Sequence, residues 1–318
     1  MLEACNRLLR DVSRALLGPR HTWPLSLRAR RLSADLPARL ADALARTRGD
    51  TAAPDDRPVF LLAAGWRSGS TLLQRMIMER NEEILMWGEP FAHSNIHDSL
   101  ISQFRAFSGD WPPGSFFLSK MQFQRVADTW VANLYPDVDH LLNAHRSYYR
   151  TLFGDPAAKA GWKNWGLKEV RLTIDHAAYF RALFPQCKII LLYRNPYDTY
   201  LSYRNWNHPS ARTWPGYVAT PYAFGRGWAE MTRSYLQGHE KVNALLIRYE
   251  DLDNPADIER LQTYLGWPVP RSSEMRLIRK TDSDRPAVKP TRSRLPAADR
   301  ALLRFATSDV FEAAGYAL

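Results

Sequence analysis

Short apolar runs alternate with helix-like stretches over most of the chain. Continuous apolar runs of about six residues are typical of strands buried on both faces, as in parallel sheets. They lie at Val59–Ala64, Ile84–Trp87, Lys188–Tyr193 and Ala244–Tyr249. Helical stretches begin at Thr71, after Pro196 and near Ile258. This alternation predicts an α/β fold, a parallel sheet flanked by helices, with ligands bound at the carboxyl ends of the strands.

Two regions depart from this alternation. Residues 91–160 are mixed in pattern and rich in aromatic residues, and we expect a helical insertion over the ligand edge of the sheet. In residues 1–50, leucines recur at helical spacing on both sides of Pro24, which predicts an extension of two amphipathic helices. Two roles are possible for this extension. It either packs on the main domain, at residues 51–318, or makes peripheral contact with a membrane through residues 1–20.

Composition and charge limit the classes of protein to which this chain can belong. The 318 residues are 45% hydrophobic and 24% charged, as in ordinary globular proteins. A net charge of +10 favours an anionic ligand, nucleic acid or an acidic membrane face. No apolar run approaches the ~20 residues of a membrane span. The two cysteines, Cys5 and Cys187, exclude a disulfide framework, so we expect a cytoplasmic protein, with a peripheral membrane location as the alternative.

The first predicted strand leads through Gly65–Thr71 into a helix. A strand, a glycine-containing turn and a helix start present backbone N–H groups and a positive dipole end to an anion. A P-loop NTPase needs Gly-x4-Gly-Lys-[Ser/Thr], but Ala64 stands at the first glycine and Ser70 at the lysine. Arg67 supplies positive charge inside the loop instead. A P-loop-like nucleotide-dependent kinase therefore stays only as the alternative.

A second anion site is predicted after the strand that ends at Tyr193. Arg194 follows this strand, Asn195 and Pro196 form a helix start, and Ser202 lies on the helix. The arginine fork and the hydroxyl can converge on one phosphate through charge-assisted hydrogen bonds.

These two patterns resemble those of sulfotransferases that use 3′-phosphoadenosine 5′-phosphosulfate (PAPS). Arg67–Leu72 is similar to their 5′-phosphosulfate loop, and Arg194 and Ser202 stand at matching places of their 3′-phosphate motif. The segment Ile247–Leu252, with Tyr249, resembles a strand-end segment of the family, and residues 279–281 resemble its late Arg-Lys-Gly loop, with Thr281 in place of glycine.

The resemblance implies a P-loop NTPase-like sulfotransferase catalytic domain at residues 51–318, with PAPS as co-substrate and no required metal. It also implies a set of donor-binding residues. These are Arg67, Ser68, Gly69, Ser70, Thr71, Leu72, Arg194, Ser202, Tyr249, Arg279 and Lys280.

The same resemblance suggests which residues carry the chemistry. Gly88-Glu89 resembles the Gly-Glu that provides the catalytic base in tyrosylprotein sulfotransferases, whereas small-molecule branches use a histidine, for which His93 is the candidate. Residues Trp165–Arg171 resemble a further strand that ends at the site, and Lys168 within it matches a lysine that stabilises the leaving phosphate in several sulfotransferases. With Arg67 of the loop, the candidate catalytic residues are Glu89, Lys168, Arg67 and His93.

The resemblance implies an acceptor hydroxyl, which belongs to a carbohydrate, a tyrosine or a small molecule. The aromatic insertion and four further aromatic residues form either a platform for a sugar or part of the core. The four are Trp206, Trp214, Tyr217 and Tyr222. A non-enzymatic binder of nucleic acid is disfavoured, because no nucleic-acid motif is visible and the aromatic residues are not interleaved with the arginines.

Overall fold

A computed structural model describes residues 56–79, 81–89, 96–107, 111–120, 127, 131–205, 218–275 and 294–317. Several sequence predictions lie outside these ranges. They are the extension at residues 1–50, the candidate base His93, the aromatic residues Trp206, Trp214 and Tyr217, and the late basic pair Arg279 and Lys280.

Within the described ranges, five strands form one sheet in the order β2-β3-β1-β4-β5, and every neighbouring pair is parallel. All five residues of the central strand are buried, which explains their unbroken apolar character. The predicted parallel sheet is confirmed. The strands are β1 (Val59–Ala63), β2 (Ile84–Trp87), β3 (Asn164–Glu169), β4 (Lys188–Tyr193) and β5 (Leu245–Arg248).

Helices connect the strands. The α-helices are α1 (Ser70–Glu79), α2 (Ile96–Ile101), α3 (Val138–Tyr149), α4 (Asp155–Lys159), α5 (Ile174–Leu183), α6 (Pro196–Arg204), α7 (Pro221–Gly238), α8 (Pro255–Leu265) and α9 (Ala297–Thr307). Short 3-10 turns occupy Ser102–Ala106, Gly114–Phe116, Leu118–Lys120, Val131–Asn133, Glu240–Val242, Tyr249–Asp251 and Ser272–Glu274, and a π-helical turn occupies Arg150–Gly154. No helix within the described ranges is long and apolar enough to cross a membrane.

Three of these helices begin in the same way, with a capping side chain followed by proline. Asn195, Thr220 and Asn254 each accept a hydrogen bond from a backbone N–H of the first turn of α6, α7 and α8. Proline at the first helical position costs no hydrogen bond, because an N–H group there would have no partner within the helix. This local chemistry explains why the start of α6 could be predicted from the sequence.

The helical layer beside β1 and β3 is held by aromatic packing. The rings of Phe60 on β1 and Phe180 on α5 stack at 4.1 Å, and Trp165 on β3 meets Phe60 edge to face. The described part of residues 91–160 contains α2, α3 and α4, with one isolated bridge between Phe117 and Tyr135. Several of its aromatic residues, among them Phe104, Tyr149 and Phe153, are buried in the core. The division into domains stays a prediction.

The strand order fixes where a ligand can bind. The chain leaves β1 towards β2 on one side of the sheet, and it leaves β4 towards β5 on the other. Neighbouring strands whose connections run in opposite directions open a crevice at their carboxyl ends, which is where open α/β sheets bind ligands. The loop after β1 and the turn after β4 are the two predicted anion sites, so the topology brings them together.

Candidate active site

A cavity of about 440 Å³ lies at the carboxyl edge of the sheet. Its volume is within the range of roughly 300–1,000 Å³ that is common for small-molecule sites. The wall is formed by the loop after β1, the start of α1 and the segments that follow β2, β3, β4 and β5. The lining residues are Trp66, Arg67, Gly69, Ser70, Thr71, Leu72, Glu89, Val170, Arg194, Ser202 and Tyr249.

The loop after β1 has an unusual backbone. Gly65, Arg67 and Gly69 all have positive φ, at 94°, 65° and 92°. Such a value is uncommon for a residue with a side chain and is retained where the surroundings impose it, often at functional sites. Ser68 closes the turn, because its Oγ donates to the Gly65 carbonyl at 2.7 Å.

The start of α1 forms one side of the cavity. The first N–H groups of an α-helix have no intrahelical partner and carry the positive end of the helix dipole. Ser70, Thr71 and Leu72, the first three residues of α1, line the cavity. The loop and this helix start together suit a bound anion.

Tyr249 supports both the loop and the turn after β4. A Cβ on Gly69 would lie 2.0 Å from Cδ2 of Tyr249, so the loop can approach the ring only with glycine at this position. The guanidinium carbon of Arg194 lies 4.1 Å from the centre of the same ring, a cation–π contact. One ring thus positions elements from both predicted anion sites.

Two arginines meet at the cavity. Arg67 Nε donates to Ser202 Oγ at 3.1 Å, and Arg194 Nη1 donates to the Arg67 carbonyl at 3.3 Å. Although the Arg67 side chain is partly exposed, burial of its guanidinium and then the charge of Arg194 lower the pKa of Arg67. Two neighbouring cations of this kind favour an anion beside them.

The Arg194 side chain also has unused hydrogen-bonding capacity. Its Nε is buried and has no hydrogen-bond partner among the described residues. A buried donor without a partner is costly, so it is expected to find one when a ligand binds. The backbone beneath it is fixed, since Trp228 Nε1 donates to the Arg194 carbonyl at 2.9 Å.

Glu250 fixes the turn that carries Arg194. Its Oε1 accepts from the backbone N–H of Asn195 at 2.9 Å, and its Oε2 accepts from the Tyr316 hydroxyl at 2.9 Å. The strand-end segment with Tyr249 therefore serves the turn after β4 through two consecutive residues. This segment was predicted from the sequence, but the role of Glu250 was not.

An acid and a lysine meet at the other wall of the cavity. Glu89 follows β2 and Lys168 lies near the end of β3, and their Oε1 and Nζ atoms are 2.5 Å apart. Lys168 is buried, with 5% of its surface exposed, whereas Glu89 lines the cavity. Among the described lining residues Glu89 is the only acid. The structure thus places one carboxylate, held by an ammonium group, opposite the arginine pair.

Most predicted site residues with described positions meet at this cavity. Ser68 does not line it, because its hydroxyl is used inside the loop, and Lys168 reaches it through Glu89. Trp66 and Val170 also line the cavity but were not predicted from the sequence. Trp66 stands inside the loop motif itself, and its ring is buried and stacks on Tyr203. Its position in the loop motif could have identified Trp66 as a site residue. Val170 has no such signal, because its sequence context is that of an ordinary strand residue.

A family profile and several solved structures match this chain. A profile described as Sulfotransferase family matches residues 58–271. Solved structures similar to this chain include mouse sulfotransferase SULT7A1 complexed with PAP, at 15% identity and a TM-score of 0.34, covering 73% of this chain and 66% of that one. A sulfotransferase from Alicyclobacillus acidocaldarius matches at 15% identity and a TM-score of 0.42, covering 83% and 98%.

A third similar structure is the PezAT toxin-antitoxin system of Streptococcus pneumoniae, at 9% identity and a TM-score of 0.26, covering 88% of this chain and 96% of that one. This chain spans just under two thirds of the mouse protein. No curated protein matches the chain. Because all three TM-scores are low, only the family profile supports an assignment to a family.

Proposed function

Because the chain belongs to the sulfotransferase family, whose profile matches more than half of it, we propose that it transfers the sulfuryl group of PAPS to an acceptor hydroxyl. The observation that carries the choice of donor is the arginine pair, Arg67 and Arg194, which meets around Ser202 at the switch point of the sheet. PAPS carries two separate anionic groups, a 5′-phosphosulfate and a 3′-phosphate, and the cavity offers two adjoining sites for them.

The residues present suit this donor. Residues Arg67–Leu72, with the start of α1, would hold the 5′-phosphosulfate through backbone N–H groups and the Arg67 charge. Arg194, whose buried Nε has no partner among the described residues, and Ser202 would hold the 3′-phosphate. Neither assignment requires a metal ion.

The acid and lysine at the opposite wall suit the chemical step. Bound PAPS supplies a sulfuryl group whose S–O bond to phosphate breaks as a new S–O bond to the acceptor forms. Glu89 would take the proton of the acceptor hydroxyl, as a general base. Lys168 would hold Glu89 at the cavity wall and neutralise charge on the leaving phosphate. His93 stays the alternative base.

The kinase alternative is the weaker proposal. The lysine that would contact the β- and γ-phosphates is Ser70 in this chain, and the family is that of sulfotransferases. The acceptor classes, carbohydrate, tyrosine and small molecule, can be separated by screening with labelled donor.

Calorimetric titration without metal tests the donor assignment. The ligands are 3′-phosphoadenosine 5′-phosphate (PAP), adenosine 5′-phosphate, which differs from PAP only by the missing 3′-phosphate, ADP and ATP. We expect PAP to bind at least about tenfold more tightly than the other three, because a charge-assisted hydrogen bond contributes about 1.5–3 kcal/mol. Equal affinity for all four, or a preference for ATP with Mg²⁺, would overturn the 3′-phosphate assignment.

A further inference from the structure

Two consecutive residues near the end of β3 hold the chain that follows β2 at two points. Lys168 pairs with Glu89, and Oε1 of Glu169 lies 3.6 Å from Nε2 of His97 at the start of α2. Because successive strand residues point to opposite faces of a sheet, the two side chains leave β3 on opposite faces. The end of β3 therefore links the cavity wall on one face to the helical layer on the other.

Glu169 is an unusual residue for this position. Its side chain is 2% exposed, Oε2 lies 3.5 Å from Nη2 of Arg171, and neither carboxylate oxygen makes a hydrogen bond within the described ranges. Burial by itself would raise the pKa of Glu169, but His97, then Arg171 and Lys168, outweigh it and hold that pKa below its ordinary value. A buried carboxylate of this kind depends on the cations around it.

His97 is anchored on its other side. Its Nδ1 lies 2.7 Å from the hydroxyl of Tyr149 on α3, and the two rings stack. The edge of its ring also meets Phe180 on α5. The ring therefore has a fixed place in the helical layer, and from there it faces Glu169.

The residue after Glu169 belongs to the cavity wall. Val170 lines the cavity, and its carbonyl accepts from the backbone N–H of Gly65 at 3.1 Å. Glu169 thus lies between Lys168, which pairs with Glu89, and Val170, which is hydrogen-bonded to the loop after β1. Neither Glu169 nor His97 lines the cavity itself.

We propose that Glu169 and His97 are a positioning pair for sulfuryl transfer, an inference that rests on the function proposed above. By fixing the end of β3 against α2, they hold Lys168 and Glu89 at a constant position relative to the loop after β1. Because they touch neither donor nor acceptor, their loss should slow transfer and leave donor binding largely intact.

The test compares the wild-type chain with E169Q, E169D, H97Q and the double variant E169Q/H97Q. Two quantities are measured: the affinity for PAP by calorimetry, and kcat for sulfate release from PAPS, in which water replaces the acceptor hydroxyl. We expect E169Q and H97Q each to lower kcat about ten- to hundredfold, because a displacement of about 1 Å can cost about a hundredfold in rate. The Kd for PAP should change less than about twofold, and E169D, which keeps the charge, should restore part of the rate.

The double variant distinguishes a pair from two separate residues. If Glu169 and His97 act together, E169Q/H97Q loses about as much rate as either single variant, since the interaction is already lost in each. The double variant also removes both members of the contact, so it serves if E169Q alone fails to fold. Losses that multiply would overturn the pairing.

His145 provides a matched control in the same helical layer. It is buried like His97 and lies 2.8 Å from a tyrosine hydroxyl, that of Tyr179, but it faces Gln103 instead of β3. H145Q should lower stability and leave kcat within about twofold of wild type. An equal loss of kcat in H145Q, or a normal kcat in E169Q beside an active wild type, would overturn the positioning role alone. A wild-type chain that does not bind PAP would overturn the proposed function itself.

Discussion

Ser202 on α6 accepts a hydrogen bond of 3.1 Å from Nε of Arg67 in the loop after β1, across 135 positions of sequence. This contact joins the hydroxyl assigned to the 3′-phosphate to the arginine assigned to the 5′-phosphosulfate. The two assignments are therefore coupled, because the Arg67 guanidinium and the Ser202 hydroxyl can both turn to a ligand that enters the cavity. Each residue could be identified from its own motif, whereas their contact follows from the pairing of β1 with β4.

Removing either partner should weaken donor binding. In R67A the loop loses its charge, and in S202A the 3′-phosphate loses a hydroxyl donor. We expect each variant to raise the Kd for PAP about tenfold or more, since a hydrogen bond to a charged group contributes about 1.5–3 kcal/mol. Calorimetry with PAP measures the change.

Matched substitutions away from the cavity control for general effects. Arg260, in an ion pair with Asp257 on α8, and Ser234, whose Oγ donates to a carbonyl on α7, are suitable positions. R260A and S234A should leave the affinity for PAP unchanged. Unchanged affinity in R67A and S202A would contradict the donor-site assignment.

Glu89 can be tested separately from donor binding. E89Q keeps the shape of the side chain and an oxygen that Lys168 can contact, but it cannot accept the acceptor proton. Transfer should fall at least about a hundredfold, because general base catalysis contributes about 10²–10⁴. Affinity for PAP should stay within about threefold. Sulfate release from PAPS and calorimetry give the two numbers.

The parallel variant H93A decides between the two candidate bases. Near-normal turnover in E89Q together with lost turnover in H93A would move the role of base to His93. Loss in E89Q alone supports Glu89, whose carboxylate lines the cavity.

The sequence predicted the parts of the fold that have a local cause. Continuous apolar runs such as that of β1 arise because both faces of a central parallel strand are covered. The strand at Asn164–Glu169 contains Gly166, Lys168 and Glu169 and has no such run, so residues 165–171 were predicted as a strand without the support of an apolar run. Its place between β1 and β2 depends on long-range packing, which leaves no periodic signal.

In the candidate site, too, some residues can be predicted from local sequence and others cannot. Arg67 and Arg194 stand in turns whose local chemistry is readable, a glycine-rich loop and a capped helix with proline at its start. The contact of Glu169 with His97 joins distant segments, and each residue alone resembles an ordinary polar side chain. The left-handed backbone of Arg67 was equally hidden, because tertiary packing imposes it.

Gly69 should not tolerate even alanine. Its φ of 92° strains any residue with a side chain, and a Cβ would lie 2.0 Å from the ring of Tyr249. We expect G69A to lower the free energy of unfolding by about 2 kcal/mol or more and to weaken PAP binding, because the loop must withdraw from the ring. Urea unfolding and calorimetry measure the two effects. G114A is the control, since a Cβ on Gly114 meets nothing within 4 Å. Wild-type behaviour of G69A would show that the loop does not depend on this close approach.

His145 should make the stability of the protein depend on pH. Burial lowers the pKa of His145 below its ordinary value of 6.5, and the ring lies between the Tyr179 hydroxyl and Gln103 Oε1. The unfolded chain therefore binds more protons than the folded chain just below pH 6.5, so this contribution to stability is present above that pH and is lost as the pH falls.

The pH dependence can be measured by urea unfolding at pH 7.5, 6.5 and 5.5. One proton corresponds to at most about 1.4 kcal/mol per pH unit, and H145Q should remove part of the wild-type slope because glutamine does not titrate. H140Q, at an exposed histidine of the same helix α3, is the control and should keep the wild-type slope. If H145Q kept the full slope as well, the pH dependence would have to arise elsewhere, and His145 would act only through packing and its hydrogen bonds.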